Sequence, residues 1–249
     1  MLNQPQAYSL FRVIPRVASI AVSVTLVIGG LPTAVFAQEY VPPVEGLPGR
    51  RQGGGTRGDC LRGDAPLVAL MPESNFGQTL ESYPTFYWYV PDISAEAAEF
   101  VLLDQQDNEI YIAEFQLANR SGIISISLPE MAGLPPLELG ENYHWYFSLI
   151  CDRLDRSGDL FTEGWVRRIE DPALVQEVSG LPERDRATRY AEAGIWHEAL
   201  DTLAQLRRSQ PDMPGAMDGW ETLLNSVGLG DYTDEPFVEL TEESSLIGD

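Results

Sequence analysis

The stretch Tyr143-His144-Trp145-Tyr146-Phe147-Ser148-Leu149-Ile150-Cys151 decides the fold class, because large apolar residues recur at every second position. Successive side chains of a β-strand point to opposite faces. One face then carries the set that we expect to form core: Tyr143, Trp145, Phe147, Leu149 and Cys151. The other face carries His144, Tyr146, Ser148 and Ile150. A half-buried strand therefore lies at the centre of the predicted fold.

Six further segments between residues 59 and 170 have the length and composition of strands. They are residues 67–70, 85–90, 100–103, 109–117, 122–128 and 160–169. Seven short strands in about 110 residues predict an antiparallel β-sandwich of the immunoglobulin-like type. In addition, residues 137–143 resemble the tyrosine corner of such sandwiches, with Tyr143 as the tyrosine.

The hydrophobic period changes after Asp171. Apolar residues recur at three- and four-residue intervals over 183–193, 196–209 and 217–227, and Pro172 is suited to the first turn of a helix. Residues 194–200, with Pro211 beyond them, resemble the middle of a tetratricopeptide repeat. Residues 171–229 are therefore predicted to be a small tetratricopeptide-like helical module. Since one such unit cannot bury its own apolar face, it must pack on the sandwich or on a partner.

The two ends of the chain differ in composition from its middle. Residues 1–37 combine two arginines, an apolar run and small residues before a cleavage point, which predicts a secretory signal peptide; an uncleaved anchor is the alternative. Residues 38–58 are rich in proline, glycine and arginine and are predicted to be a flexible linker. Residues 230–249 contain acids and no base, which predicts a disordered acidic tail.

Charge and cysteine content limit the function classes. The 249 residues include 38 acids and 16 basic residues, all arginine, for a net charge of −22. This charge argues against binding to nucleic acid or to an anionic membrane surface. Cys60 and Cys151 are the two cysteines, and in an oxidising compartment they are expected to form a disulfide; two buried thiols are the alternative.

No catalytic, phosphate-binding or metal-binding motif occurs in the sequence. We therefore expect no cofactor, no metal ion and no enzymatic activity. A hydrolase using two carboxylates among Asp152, Asp155, Asp159 and Glu163 is the less favoured alternative.

Two groups of residues are candidates for ligand contact. The first is an outward aromatic strip made of Tyr87, Tyr89, His144 and Tyr146, on which a sugar could stack if it is not covered by the helices. The second, for a protein partner, lies on the helical module: Trp196, His197, Leu200, Leu203 and Trp220.

Several segments together resemble a known family, the cyanobacterial exported proteins classed as domain of unknown function 928. They are Gly58-Asp59-Cys60, Tyr83-Pro84-Thr85-Phe86, residues 99–104, 122–128 and 143–148, Glu163-Gly164-Trp165-Val166 and residues 190–196. The resemblance spans about residues 56–230. It implies export to the periplasm or the medium, and it carries no defined activity.

These observations lead to two expectations about function. The first is an exported, non-enzymatic protein that binds another envelope or secreted protein. The alternative is a carbohydrate-binding module for cell-surface polysaccharide. After signal cleavage no transmembrane segment is expected.

Overall fold

In the described residues, two β-sheets face each other across a layer of aromatic side chains, and four α-helices follow the last long strand. This is the arrangement in the computed structural model, which describes residues 39–53, 60, 62–117, 120–130, 134–211 and 216–242. The predicted signal peptide, residues 1–37, lies outside the described residues. The fold is thus mixed, with β-structure first and α-structure afterwards, as the change of hydrophobic period predicts.

The described residues form nine strands in two sheets. They are β1 (Val68–Ala69), β2 (Phe76–Thr79), β3 (Thr85–Val90), β4 (Ala97–Leu103), β5 (Glu109–Gln116), β6 (Gly122–Ser127), β7 (Asn142–Ile150), β8 (Leu160–Arg168) and β9 (Thr241–Glu242). The smaller sheet has the order β1-β3-β6, and the larger one the order β2-β8-β7-β4-β5-β9. Neighbouring strands are antiparallel except β2 and β8, which run parallel. That parallel pair corrects the expectation of a purely antiparallel sandwich.

The core lies between β3 of the smaller sheet and β7 of the larger one. The Trp88 ring stacks on Phe147 at 4.4 Å between centroids and meets Trp145 edge-on at 5.5 Å. Its indole Nε1 donates to Thr162 Oγ1 at 3.1 Å, so the buried polar atom of this ring is satisfied. The face of β7 predicted to be core is buried from Tyr143 to Leu149, as the alternation predicts. Cys151 is only half-buried, and Ile150 and His144 of the opposite face are buried as well, so the outward face is less exposed than predicted.

The tyrosine-corner hydrogen bond is present at the start of β7. Tyr143 Oη accepts from the backbone N–H of Glu138 at 3.0 Å. This bond fixes the approach of the preceding loop to the strand, as the pattern of residues 137–143 predicts.

Four helices follow the last long strand: α1 (Pro172–Val178), α2 (Glu183–Glu192), α3 (Trp196–Ser209) and α4 (Ala216–Ser226). The Asp171 carboxylate caps α1 by accepting from the N–H of Leu174 at 2.9 Å, with Pro172 in the first turn. Gly194, at φ +77°, makes the tight turn between α2 and α3. No helix of the described ranges is long and apolar enough to cross a membrane.

Helix α3 lies on strands β2 and β3 and is not a separate module. Trp196 Nε1 donates to the carbonyl of Leu70 at 3.0 Å, and His197 Nδ1 donates to the carbonyl of Thr85 at 3.0 Å. A Cβ on Gly77 of β2 would lie 2.7 Å from His197 Nε2, so only glycine allows this close approach. The described residues, from 39 to 242, accordingly belong to one compact unit.

Residues 39–53, which we call the N-terminal strap, are bound to the rest of the fold along their length. Tyr40 is buried against the Trp196 ring, and Gly53 N–H donates to the carbonyl of Leu67 at 2.7 Å. Arg51 Nη1 donates to the carbonyl of Val227 at 2.7 Å. The described part of the predicted flexible linker is therefore ordered; residues 54–59 lie outside the described residues.

Residues 230–242, the C-terminal segment, are also docked. The Phe237 ring is close to two guanidinium groups, with its centroid 5.1 Å from that of Arg207 and 4.3 Å from that of Arg208. Val238 is buried, and β9 pairs with β5. This part of the predicted disordered tail is thus structured, because it supplies apolar residues between its acids; residues 243–249 are not described.

Candidate functional site

The predicted aromatic strip is divided between the two sheets. Tyr87 and Tyr89 lie on the outer face of β3 and are only 3% and 6% exposed. Tyr87 Oη donates to Asp201 on α3 at 2.6 Å, and Tyr89 packs on Tyr232 at 4.8 Å between ring centroids. The four residues therefore do not form one exposed strip, contrary to the prediction. The helices and the C-terminal segment cover Tyr87 and Tyr89.

The five residues proposed for a protein partner are also buried. They are Trp196, His197, Leu200, Leu203 and Trp220, and each is at most 8% exposed. The physical reason is that the apolar side of the helices already packs on β2 and β3 and on the C-terminal segment, where Trp220 Nε1 donates to the carbonyl of Thr233 at 3.1 Å. These side chains are internal contacts, which corrects their expected role as a free surface.

His144 and Tyr146 lie on the outer face of the larger sheet, beside two residues of β8. The strand register places His144 opposite Trp165 and Tyr146 opposite Glu163. The His144 and Trp165 rings are parallel, with centroids 4.1 Å apart. His144 Nε2 lies 3.4 Å from Glu163 Oε2, and Nδ1 lies 3.3 Å from Tyr146 Oη. We call these four residues the His144 cluster.

Burial and the nearby carboxylate set the charge state of the cluster. Desolvation lowers the pKa of His144, against the opposing effect of Glu163. Desolvation, with Glu163 beside it, raises the pKa of Tyr146. At neutral pH the imidazole of His144 and the phenol of Tyr146 are therefore both neutral. Between them these groups can both donate hydrogen bonds to a ligand and accept them.

The N-terminal strap supports the cluster from one side. Trp165 Nε1 donates to the carbonyl of Pro48 at 2.7 Å. Arg50 and Glu163 exchange two backbone hydrogen bonds, and the Arg50 guanidinium lies 4.8 Å from the centre of the Phe161 ring. Sequence reasoning missed Glu163 and Trp165 as partners of His144, although their alternation along residues 160–169 places them on one strand face.

The Cys60–Cys151 disulfide is present, with the two Cα atoms 5.6 Å apart. It ties the end of β7 to the segment that follows the described strap. The turn after it uses its carboxylates as acceptors: Asp159 Oδ1 accepts from Cys151 N at 3.0 Å, and Asp152 Oδ1 from Leu154 N at 2.8 Å. Hydrogen bonds from Ser157 lower the pKa of Asp155.

Among the described residues, no group of three or more histidine, cysteine, aspartate and glutamate side chains could hold a metal ion.

The fold and the cluster define a class of protein in which two facing β-sheets, closed by a disulfide, are covered on one side by a short series of helices. Within this class the chain belongs to the family of the Domain of Unknown Function DUF928, whose model matches residues 52–237. A search of the curated proteins finds no match to this chain.

Proposed function

We propose that the chain is an exported, non-catalytic binding protein of the cell envelope, and that it binds surface polysaccharide at the His144 cluster. The observation that carries the proposal is the side-by-side placement of aromatic rings and hydrogen-bonding groups on one sheet face. Sugars present both apolar C–H faces and hydroxyl groups, so their recognition needs rings together with fixed donors and acceptors.

Export is supported by three features. The first 37 residues have the layout of a signal peptide, and Cys60 and Cys151 are joined in a disulfide, a bond typical of oxidising compartments. The resemblance to exported family members points the same way. We infer release to the periplasm or the medium.

Two finer structural assignments belong to this proposal. We infer that the facing sheets are related to immunoglobulin-like sandwiches, which is supported by the Tyr143 hydrogen bond to Glu138. We also infer that α2 and α3 derive from a tetratricopeptide-like hairpin, which is supported by the Gly194 turn between them.

The proposal is tested by the affinity of the purified protein for native cell-surface polysaccharide, measured by electrophoresis in gels that contain it. Tyr146→Ala and Glu163→Gln should each lower the affinity for the polysaccharide at least tenfold, which corresponds to about 1.4 kcal/mol of binding free energy. Val175→Ala, an exposed apolar change on α1, is the matched control and should bind as wild type. Unretarded wild-type protein, or equal affinity in all variants, would contradict the proposal.

A protein partner is the second candidate. It is favoured by Ile112, which is 49% exposed on β5 of the same sheet, and by the half-buried outward residues Val101 and Leu103. Affinity capture from envelope and medium fractions, with residues 38–249 as bait, separates the two. Capture that survives glycan digestion but is lost in Ile112→Asp supports a protein partner, whereas capture lost on digestion supports polysaccharide.

A further inference from the structure

A cleft of about 390 Å³ lies where the loop after β2 meets helices α2 and α3, and it is distinct from the His144 cluster. It is lined among others by Thr79, Glu81, Tyr83, Arg186, Tyr190 and Glu198. The cleft therefore brings polar groups from the sheet and from two helices around one space.

Glu198 is the unusual group of this cleft. Glu198 is buried, with only 8% of its surface exposed. Oε1 accepts three hydrogen bonds, from Thr79 Oγ1 at 2.7 Å, Leu80 N at 2.6 Å and Glu81 N at 3.1 Å. Oε2 is buried and has no hydrogen-bond partner among the described residues. A buried carboxylate oxygen without a donor is costly, so this oxygen calls for a partner.

The neighbouring groups do not supply that partner. His197 is held neutral, because burial lowers its pKa to about 4, and its Nδ1 already donates to the carbonyl of Thr85. Arg186 lines the cleft, but its Nη2 lies 3.9 Å from Glu183. Asp201, also in the lining, accepts from Tyr87 Oη. Acids thus outnumber bases around the cleft.

We propose that this cleft binds a small organic cation, an alkylammonium or guanidinium group, whose N–H donates to Glu198 Oε2. Tyr83 and Tyr190 line the same space, and aromatic rings attract cations by their negative faces. The net charge of −22 favours the approach of a cation to this surface. The ligand is either a free amine or a lysine or arginine side chain of another chain, since both present the same group.

The test is isothermal titration of the purified full-length protein at about pH 8 with three probes: cadaverine, N-acetyl-lysine amide and N-acetyl-arginine amide. Wild type should bind at least one of them, and 1,5-pentanediol, which lacks the charge, should not bind. Glu198→Gln should lower the affinity at least tenfold. Glu170→Gln, which removes an exposed carboxylate outside the cleft lining, is the matched control and should bind as wild type.

A second variant keeps the proposal testable if Glu198→Gln does not fold. Thr202→Arg leaves Glu198 intact and places a cation into the cleft that Thr202 lines, so it should abolish binding of all probes. Stronger binding of cadaverine would identify a free amine as the source, and stronger binding of an amino-acid amide would identify a protein side chain. Binding of no probe by wild type, or unchanged binding in Glu198→Gln or Thr202→Arg, would overturn the proposal.

Discussion

The pH dependence of stability should reveal the ionisation of Glu198. Burial raises the pKa of this carboxyl from 4.5 to about 7. Since one unit corresponds to about 1.4 kcal/mol, ionising it in the folded state costs about 3 kcal/mol more than in the unfolded chain. The folded protein holds this proton more tightly, so the contribution to stability is complete below pH 4.5 and is lost as the pH rises through 7.

His197, the preceding residue, has the opposite dependence. Burial lowers its pKa from 6.5 to about 4, so its contribution to stability is present above pH 6.5 and is lost as the pH falls through 4. In the wild type the two slopes oppose each other between about pH 4.5 and 6.5. Asp201 acts electrostatically on His197, and Glu81 and Arg186 also line the same cleft. A single variant is therefore needed to separate the Glu198 contribution.

The variant Glu198→Gln isolates the contribution of Glu198 to the pH dependence of stability, because the amide has nearly the same shape as the carboxyl but does not titrate. The amide oxygen can still accept from Thr79 Oγ1 and from the N–H groups of Leu80 and Glu81. We expect the difference in unfolding free energy between wild type and variant to change by about 3 kcal/mol from pH 4.5 to pH 7.5, in favour of the variant at high pH.

The measurement is urea-induced unfolding followed by tryptophan fluorescence, with the disulfide intact, at several values of pH. Glu170→Gln, the same substitution at an exposed position, is the control. The difference in its free energy of unfolding from wild type should not vary between pH 4.5 and pH 7.5. A difference for Glu198→Gln that is equally flat would refute the reasoning, because it would mean that the carboxyl titrates alike in the folded and unfolded states.

Three further predictions concern stability and can be measured by denaturant unfolding. Replacing Cys60 and Cys151 by serine should cost about 4–5 kcal/mol, the chain-entropy value for a separation of 91 residues, and unchanged stability would contradict a constraint on the unfolded chain. Gly77→Ala should cost about 1–3 kcal/mol, because its Cβ would lie 2.7 Å from His197 Nε2; His197→Ala should remove most of this penalty in the double variant. Tyr143→Phe should cost about 1 kcal/mol through loss of the hydrogen bond to the upstream loop, and a change near zero would argue that water replaces it.

The strands and helices with regular periodicity could be predicted from the sequence. Alternation over 143–151 predicts β7 and its buried face, and the spacing of apolar residues over 196–209 predicts the bounds of α3. Strand β2 could not be predicted in this way: it has four residues, includes Gly77, and pairs in parallel with a strand far along the chain. Such pairing leaves no local signal.

The candidate sites, too, could be predicted from the sequence only in part. Alternation places His144 and Tyr146 on one face, but which strand lies beside them is a matter of long-range pairing, so Trp165 was not linked to them. Composition was misleading for residues 39–53, the described part of the predicted linker: proline and glycine favour a flexible chain, yet Tyr40 and Arg51 provide contacts that dock it. The cleft at Glu198 depends on three donors, from the last residue of β2 and the loop after it, that lie more than a hundred residues earlier in the chain.

The N-terminal strap imposes an order on folding. Arg51 bonds to the carbonyl of Val227, and Tyr40 N–H donates to Ser226 Oγ, so the first described residues are joined to the end of the last helix. Neither bond can form until that helix has left the ribosome. Contacts so distant in sequence are closed late and slowly. The strap is therefore expected to be the last part to settle, and a chain cut short before residue 226 would leave its beginning undocked.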